Sequence, residues 1–89
     1  MDTFDWNHTA VQRLIIDAEE TLSTLDYAVG EPDCNVRMRA LRNGRRDYKE
    51  IVIRRRSFML RPGELLALEG LLETMKERLR FLRERIARI

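Results

Sequence analysis

Leu65, Leu68, Leu72, Met75, Leu79, Leu82, Ile86 and Ile89 follow one another at alternating steps of three and four without a break. That spacing is the a/d stripe of a heptad helix. Eight consecutive positions demand a long helix, about residues 62–88, whose apolar seam must be covered by something. Pro62 suits the first helical turn, and Glu64 stands in the favourable field of the N-terminus. Gly70 falls at an outer position, where it weakens the helix without obstructing packing. Leu66, Leu71 and Phe81 lie off the stripe and offer surface to a second neighbour.

The residues beside the stripe constrain its partner. With Leu65 at an a position, the e sites are Glu69, Lys76 and Arg83, and the g sites are Glu64, Leu71, Arg78 and Arg85. A parallel homodimer sets Glu64 against Glu69 and Arg78 against Arg83, both repulsive. An antiparallel pair sets Glu69 against Arg83 and Glu64 against Arg85, both attractive, each by a few tenths of a kcal/mol. The stripe therefore predicts antiparallel packing, either with a second copy or with the first helix of the same chain. In the latter case that helix's acidic face complements Arg78, Arg80, Arg83 and Arg85. A chain of 89 residues buries a thin core, which favours a homodimer.

That first helix is expected over about residues 6–29. Val11, Leu14, Ala18, Leu22, Leu25 and Val29 keep one face, widened by Ile15, while Asp17, Glu19, Glu20 and Asp26 make the other face acidic. Thr9 and Gln12 have capping-box spacing, with Asp5 and Asn7 as rival caps. Gly30 suits a left-handed residue after the helix, and Pro32 prevents continuation. Phe4 and Trp6 read as an anchor packed onto the helices.

The middle of the chain reads as a β-hairpin. Asn43-Gly44 is a tight-turn pair, because both residues tolerate positive φ. A loop over residues 43–46 pairs Val36 with Ile53, Met38 with Ile51, Arg39 with Glu50 and Leu41 with Tyr48. It puts Val36, Met38, Ala40, Ile51 and Ile53 on one buried face, and burial fixes register. A continuous helix must carry Asn43-Gly44 in its interior, at a cost of about 1 kcal/mol. The fold class predicted is α+β, a single domain with a hairpin of strands over about 35–42 and 48–60 between two antiparallel helices.

Chemistry is sparse. Cys34 is the sole cysteine, so no disulfide framework exists, and His8 is the sole histidine. Neither has a neighbouring partner for nucleophilic catalysis or metal binding, and no glycine-rich phosphate loop is present. His8 reads as a surface or capping residue and Cys34 as a free thiol in a loop. The opening MDTFDWNH lacks a signal-peptide pattern, and no apolar run is long enough for a bilayer. The expectation is a non-enzymatic cytoplasmic protein without cofactor, metal, membrane partner or small-molecule substrate.

Charge supplies the functional signal. The net charge is only +2, yet residues 1–34 carry eight acids against Arg13 alone, and residues 35–61 carry ten bases against Asp47 and Glu50. Arg37, Arg39, Arg42, Arg45, Arg46, Lys49, Arg54, Arg55, Arg56 and Arg61 form the basic set. On a hairpin, Arg37 and Arg39 share a face with Tyr48, an arrangement compatible with phosphate binding and base stacking. Two partners fit such a ribbon: nucleic acid, or an acidic protein surface, including the acidic helix of a second copy. The first is the leading expectation, and the second makes the protein an interaction module of adaptor or inhibitor type.

Overall fold

The computed structural model describes residues 3–87, with side chains for residues 8–86. Three helices make up the fold: α1 (Thr3–Val29), α2 (Cys34–Arg55) and α3 (Pro62–Ala87). No strand occurs among the described residues, so the chain is an all-α bundle and the expected α+β hairpin is wrong. Of the segments predicted as strands, 35–42 and 48–60, the first and residues 48–55 of the second belong to one continuous helix, while residues 56–61 form the connection to α3. The three rods lie side by side, giving extents of 52 × 20 × 18 Å and a radius of gyration of 14.8 Å. A compact chain of this length would have a radius near 12 Å.

The core shows why a helix wins. Arg37, Leu41, Gly44, Tyr48, Ile51 and Arg55 follow the same three-and-four alternation as the C-terminal stripe. Ala40, Leu41, Gly44 and Ile51 are buried, and Tyr48 and Val52 pack against the core from its edge. A second heptad was thus present, hidden because arginine and glycine occupy three of its positions. The expected hairpin face is dispersed: Met38 is 44% and Ile53 62% exposed.

Gly44 marks the point of closest approach. A Cβ placed there would lie 2.7 Å from Leu25 Cδ2 of α1 and 3.0 Å from Leu79 Cδ2 of α3. The glycine read as a turn residue is a seat for two leucine methyls. Its helix-propensity cost of about 1 kcal/mol is offset by packing that any side chain would obstruct.

Loop lengths fix direction. The short connection over 30–33 turns α2 back along α1, and residues 56–61 turn α3 back along α2. Arg54 Nη1 reaches Asp17 Oδ2 at 2.8 Å and Arg55 Nη2 reaches Glu69 Oε1 at 3.0 Å, both as antiparallel neighbours require. Consequently α1 and α3 run parallel, and the expected antiparallel pairing of these two helices is overturned. Gln12 bonds Glu64, and Asp26 bonds Arg78 at the same sequence offset further along. The two flanks of α3 are thereby assigned. The flank of Glu64, Leu71, Arg78 and Arg85 turns to α1, and that of Glu69, Lys76 and Arg83 turns to α2.

The heptad stripe is absorbed within the chain. Leu68, Leu72, Met75 and Leu82 are buried with Val11, Leu14, Ala18, Leu25 and Ala28 of α1, while Leu65, Leu79 and Ile86 are partly covered. Ile89 lies outside the described residues, as do the side chains of Phe4 and Trp6.

Helix ends complete the frame. Asp33 caps α2 by accepting from the Asn35 N–H at 2.9 Å, so Cys34 opens a helix rather than sitting in a loop. Gly30 follows α1 without positive φ, contrary to expectation. Thr9 and Gln12 lie inside α1, so they do not mark its start as expected. Pro62 does open α3, and Glu64 Oε1 accepts from the Arg61 N–H at 3.0 Å, the reciprocal half of a capping box. Glu64 Oε2 accepts from Gln12 Nε2 at 3.2 Å and lies 3.6 Å from His8 Nδ1.

The Arg61 N–H, and to a lesser degree the Gln12 amide and the charges of His8 and Arg61, hold the Glu64 carboxyl below its ordinary 4.5, against the opposing effect of burial. A lowered folded-state value means its contribution is present above pH 4.5 and lost as pH falls through the lowered value. Glu64→Gln is expected to reduce stability at pH 7 and to narrow its gap to wild type as pH drops below 4.5. Urea unfolding across pH 3–7 measures this, and a gap that widens in acid refutes it. Gly70 has open space where its Cβ would be. Gly70→Ala is expected to stabilise by about 1 kcal/mol, raising Tm by about 4–8 °C. Gly44→Ala should move Tm the other way, since crowding of about 1–3 kcal/mol exceeds the propensity gain.

Candidate functional site

Helix α2 carries nearly the whole basic set, and a helix distributes it differently from a hairpin. At 100° per residue the cations surround the solvent side of the rod. Arg37 leaves the set: it is 7% exposed, its Nη1 donates to the Glu31 carbonyl at 2.9 Å, and its buried Nε has no hydrogen-bond partner among the described residues. Arg54 and Arg55 are consumed by Asp17 and Glu69. Arg46 Nε sits 3.5 Å from the adjacent Asp47. Arg39, Arg42, Arg45, Lys49 and Arg56 remain exposed and join no ion pair with the described residues. Arg61 is exposed at the start of α3, where its N–H meets Glu64.

The residues that do this neutralising were read from sequence as a solvated acidic face. Asp17 bridges Arg13 at 3.2 Å and Arg54 at 2.8 Å, and Asp26 holds Arg78 Nε at 2.6 Å. A groove of about 490 Å³ follows the α1–α2 junction. Its floor includes Ala28, Ala40 and Gly44, and its walls mix Arg39, Arg46 and Arg54 with Asp17, Glu20, Asp47 and Glu50. Acids and bases interleave there, so the groove exerts little net pull on a polyanion.

The other side of α2 differs. Val52 shares a pocket with Leu65 of α3, which identifies its flank as the one turned to α3. Arg45 stands one heptad before Val52 on that flank, and Arg42 and Lys49 follow just outside it. Among the described residues, no acid of α1 forms an ion pair with them. Tyr48, expected among the arginines as a stacking ring, instead packs against the core.

No helix among the described residues is long and apolar enough to cross a membrane. No family model, curated protein or solved structure matches the chain.

Arg54→Ser is expected to lower stability by up to about 1 kcal/mol at low salt, because it detaches α2 from Asp17. The double change Arg42→Ser with Arg45→Ser should stay within about 0.5 kcal/mol of wild type, since those side chains hold nothing. Thermal melts at low and high salt make the comparison. An equal loss from both would mean that the arginines are structural alike.

Proposed function

We propose that this protein is a non-enzymatic nucleic-acid-binding domain whose contact surface is the exposed face of α2. The observation that carries the reading is the set Arg39, Arg42, Arg45 and Lys49 on α2, with Arg56 just past its end, all exposed and joining no ion pair among the described residues. Clustered exposed cations raise the local positive potential and draw a polyanion to that surface. The acids of α1 that form ion pairs among the described residues, Asp17 and Asp26, go to Arg13, Arg54 and Arg78 instead.

Arginine suits the role because its planar fork binds phosphate bidentately and it never loses its charge. An α-helix fits the major groove, and the row from Arg39 to Lys49 spans about 15 Å. The mode supported is contact with the phosphate backbone, since the exposed face of α2 presents guanidinium and ammonium groups and no aromatic ring among the described residues.

Fluorescence anisotropy with a labelled duplex over a series of salt concentrations tests this. Binding is expected to weaken linearly in log salt, with a slope near −0.9 for each phosphate engaged. Changing Arg42, Arg45 and Lys49 together to serine should cut that slope by about 3 while leaving the fold intact. Failure of the wild-type protein to bind duplex or single strand at low salt would overturn the reading.

A further inference from the structure

We infer that α3 contributes a second row of cations, Lys76, Arg80 and Arg83, and that the α2–α3 seam is a two-rail site for the phosphate backbone of a double helix. This rests on the nucleic-acid reading above and adds to it the partner row and the ligand class.

Two observations place the rows together. The flank of α3 that turns to α2 is marked by Glu69, which meets Arg55. Lys76 and Arg83 follow Glu69 at seven-residue steps on that same flank, and Arg80 stands just outside it. The flank of α2 that turns to α3 carries Arg45, with Arg42 and Lys49 just outside. Register comes from two levels: Arg55 beside Glu69, and Gly44 beside Leu79. Antiparallel rods at that register bring Lys49 level with Lys76, and Arg42 and Arg45 level with Arg80 and Arg83. Six cations therefore face outward along one seam.

Neutralisation there is weak. Lys76 lies 3.7 Å from Glu73 in an exposed i,i+3 pair, and Arg80 and Arg83 join no ion pair among the described residues. Glu50 faces the α1–α2 groove. Glu77 and Glu84 stand one helical turn either side of Arg80 and join no ion pair among the described residues. The acidic helix α1 cannot reach the seam, because α1 packs on the opposite flanks of both rods.

Spacing favours a duplex. Packed helix axes stand about 8–10 Å apart, so two rows borne on them are separated by a distance between the roughly 6 Å and 12 Å widths of the two grooves. Each row can follow one of the phosphate strands that border a groove. Single-strand recognition instead relies on rings that stack bases. The exposed rings Tyr27 and Phe81 lie off the seam, and Phe81 is engaged by Arg85 at 5.5 Å.

The chain supplies its own probes, since Lys49 and Lys76 are its only lysines and stand one on each row. Acylation of the wild-type protein, with and without a saturating 20-base-pair duplex, reads both at once. Equal protection of Lys49 and Lys76 is expected, released at high salt. Protection of Lys49 alone overturns the two-row site and leaves the α2 reading standing. Protection of neither, with no duplex binding at low salt, overturns both.

Three charge-matched double variants then give numbers. Arg80→Ser with Arg83→Ser should lower the log-salt slope by about 2, as should Arg42→Ser with Arg45→Ser. Arg13→Ser with Arg85→Ser, off the seam, should leave it unchanged. If the α3 double behaves like the off-seam double, the second row is refuted. A single strand that binds more tightly than the duplex refutes the ligand class.

Discussion

The bundle depends on a missing side chain. Gly44 sits midway along α2, where Leu25 of α1 and Leu79 of α3 occupy the space a Cβ would take. That contact brings all three rods to one point and sets their level relative to one another. Ala18, Ala28 and Ala40 extend the close approach. In a rod only 20 × 18 Å across, these small residues on the inner faces let the backbones draw together around a core otherwise filled by leucine, isoleucine, valine and methionine.

From that packing follows the fate of the charges. Once α1 lies against one flank of α2 and one flank of α3, its acids can reach only those flanks. Asp17 takes Arg54 and Asp26 takes Arg78, while Arg42, Arg45, Lys49, Arg80 and Arg83 stay outside their reach. A net charge of +2 thus conceals a molecule with a mixed groove between α1 and α2 and, on α2 and α3, exposed cations that join no ion pair among the described residues. Exposed ion pairs contribute little to stability. Their consequence here is to sort the arginines into those already occupied and those open to a polyanion.

The two heptads were not equally legible. The α3 stripe is written in leucine, isoleucine and methionine, so its period could be read directly, and so could the start at Pro62. The α2 stripe has the same period, but Arg37, Gly44 and Arg55 stand at three of its positions. Asn43-Gly44 and the β-branched run Ile51-Val52-Ile53 then pointed locally to a hairpin. Tertiary packing overrode that propensity, because burying Leu41, Ile51 and Gly44 against two apolar rods outweighs the local cost of glycine and β-branching. The direction of α1 relative to α3 was beyond the pattern: with a helix between them, the chain reverses twice and the two outer rods run parallel.

By itself, the sequence determined two amphipathic helices, their approximate limits, and the segregation of acids before residue 34 from bases after it. Those properties are local, carried by side-chain period and composition. Only the tertiary structure decided that the middle segment is helical, that Arg37 is buried, and which cations are neutralised. Ion pairing between helices depends on the azimuth and level of each residue, and both are set by how the rods pack around Gly44.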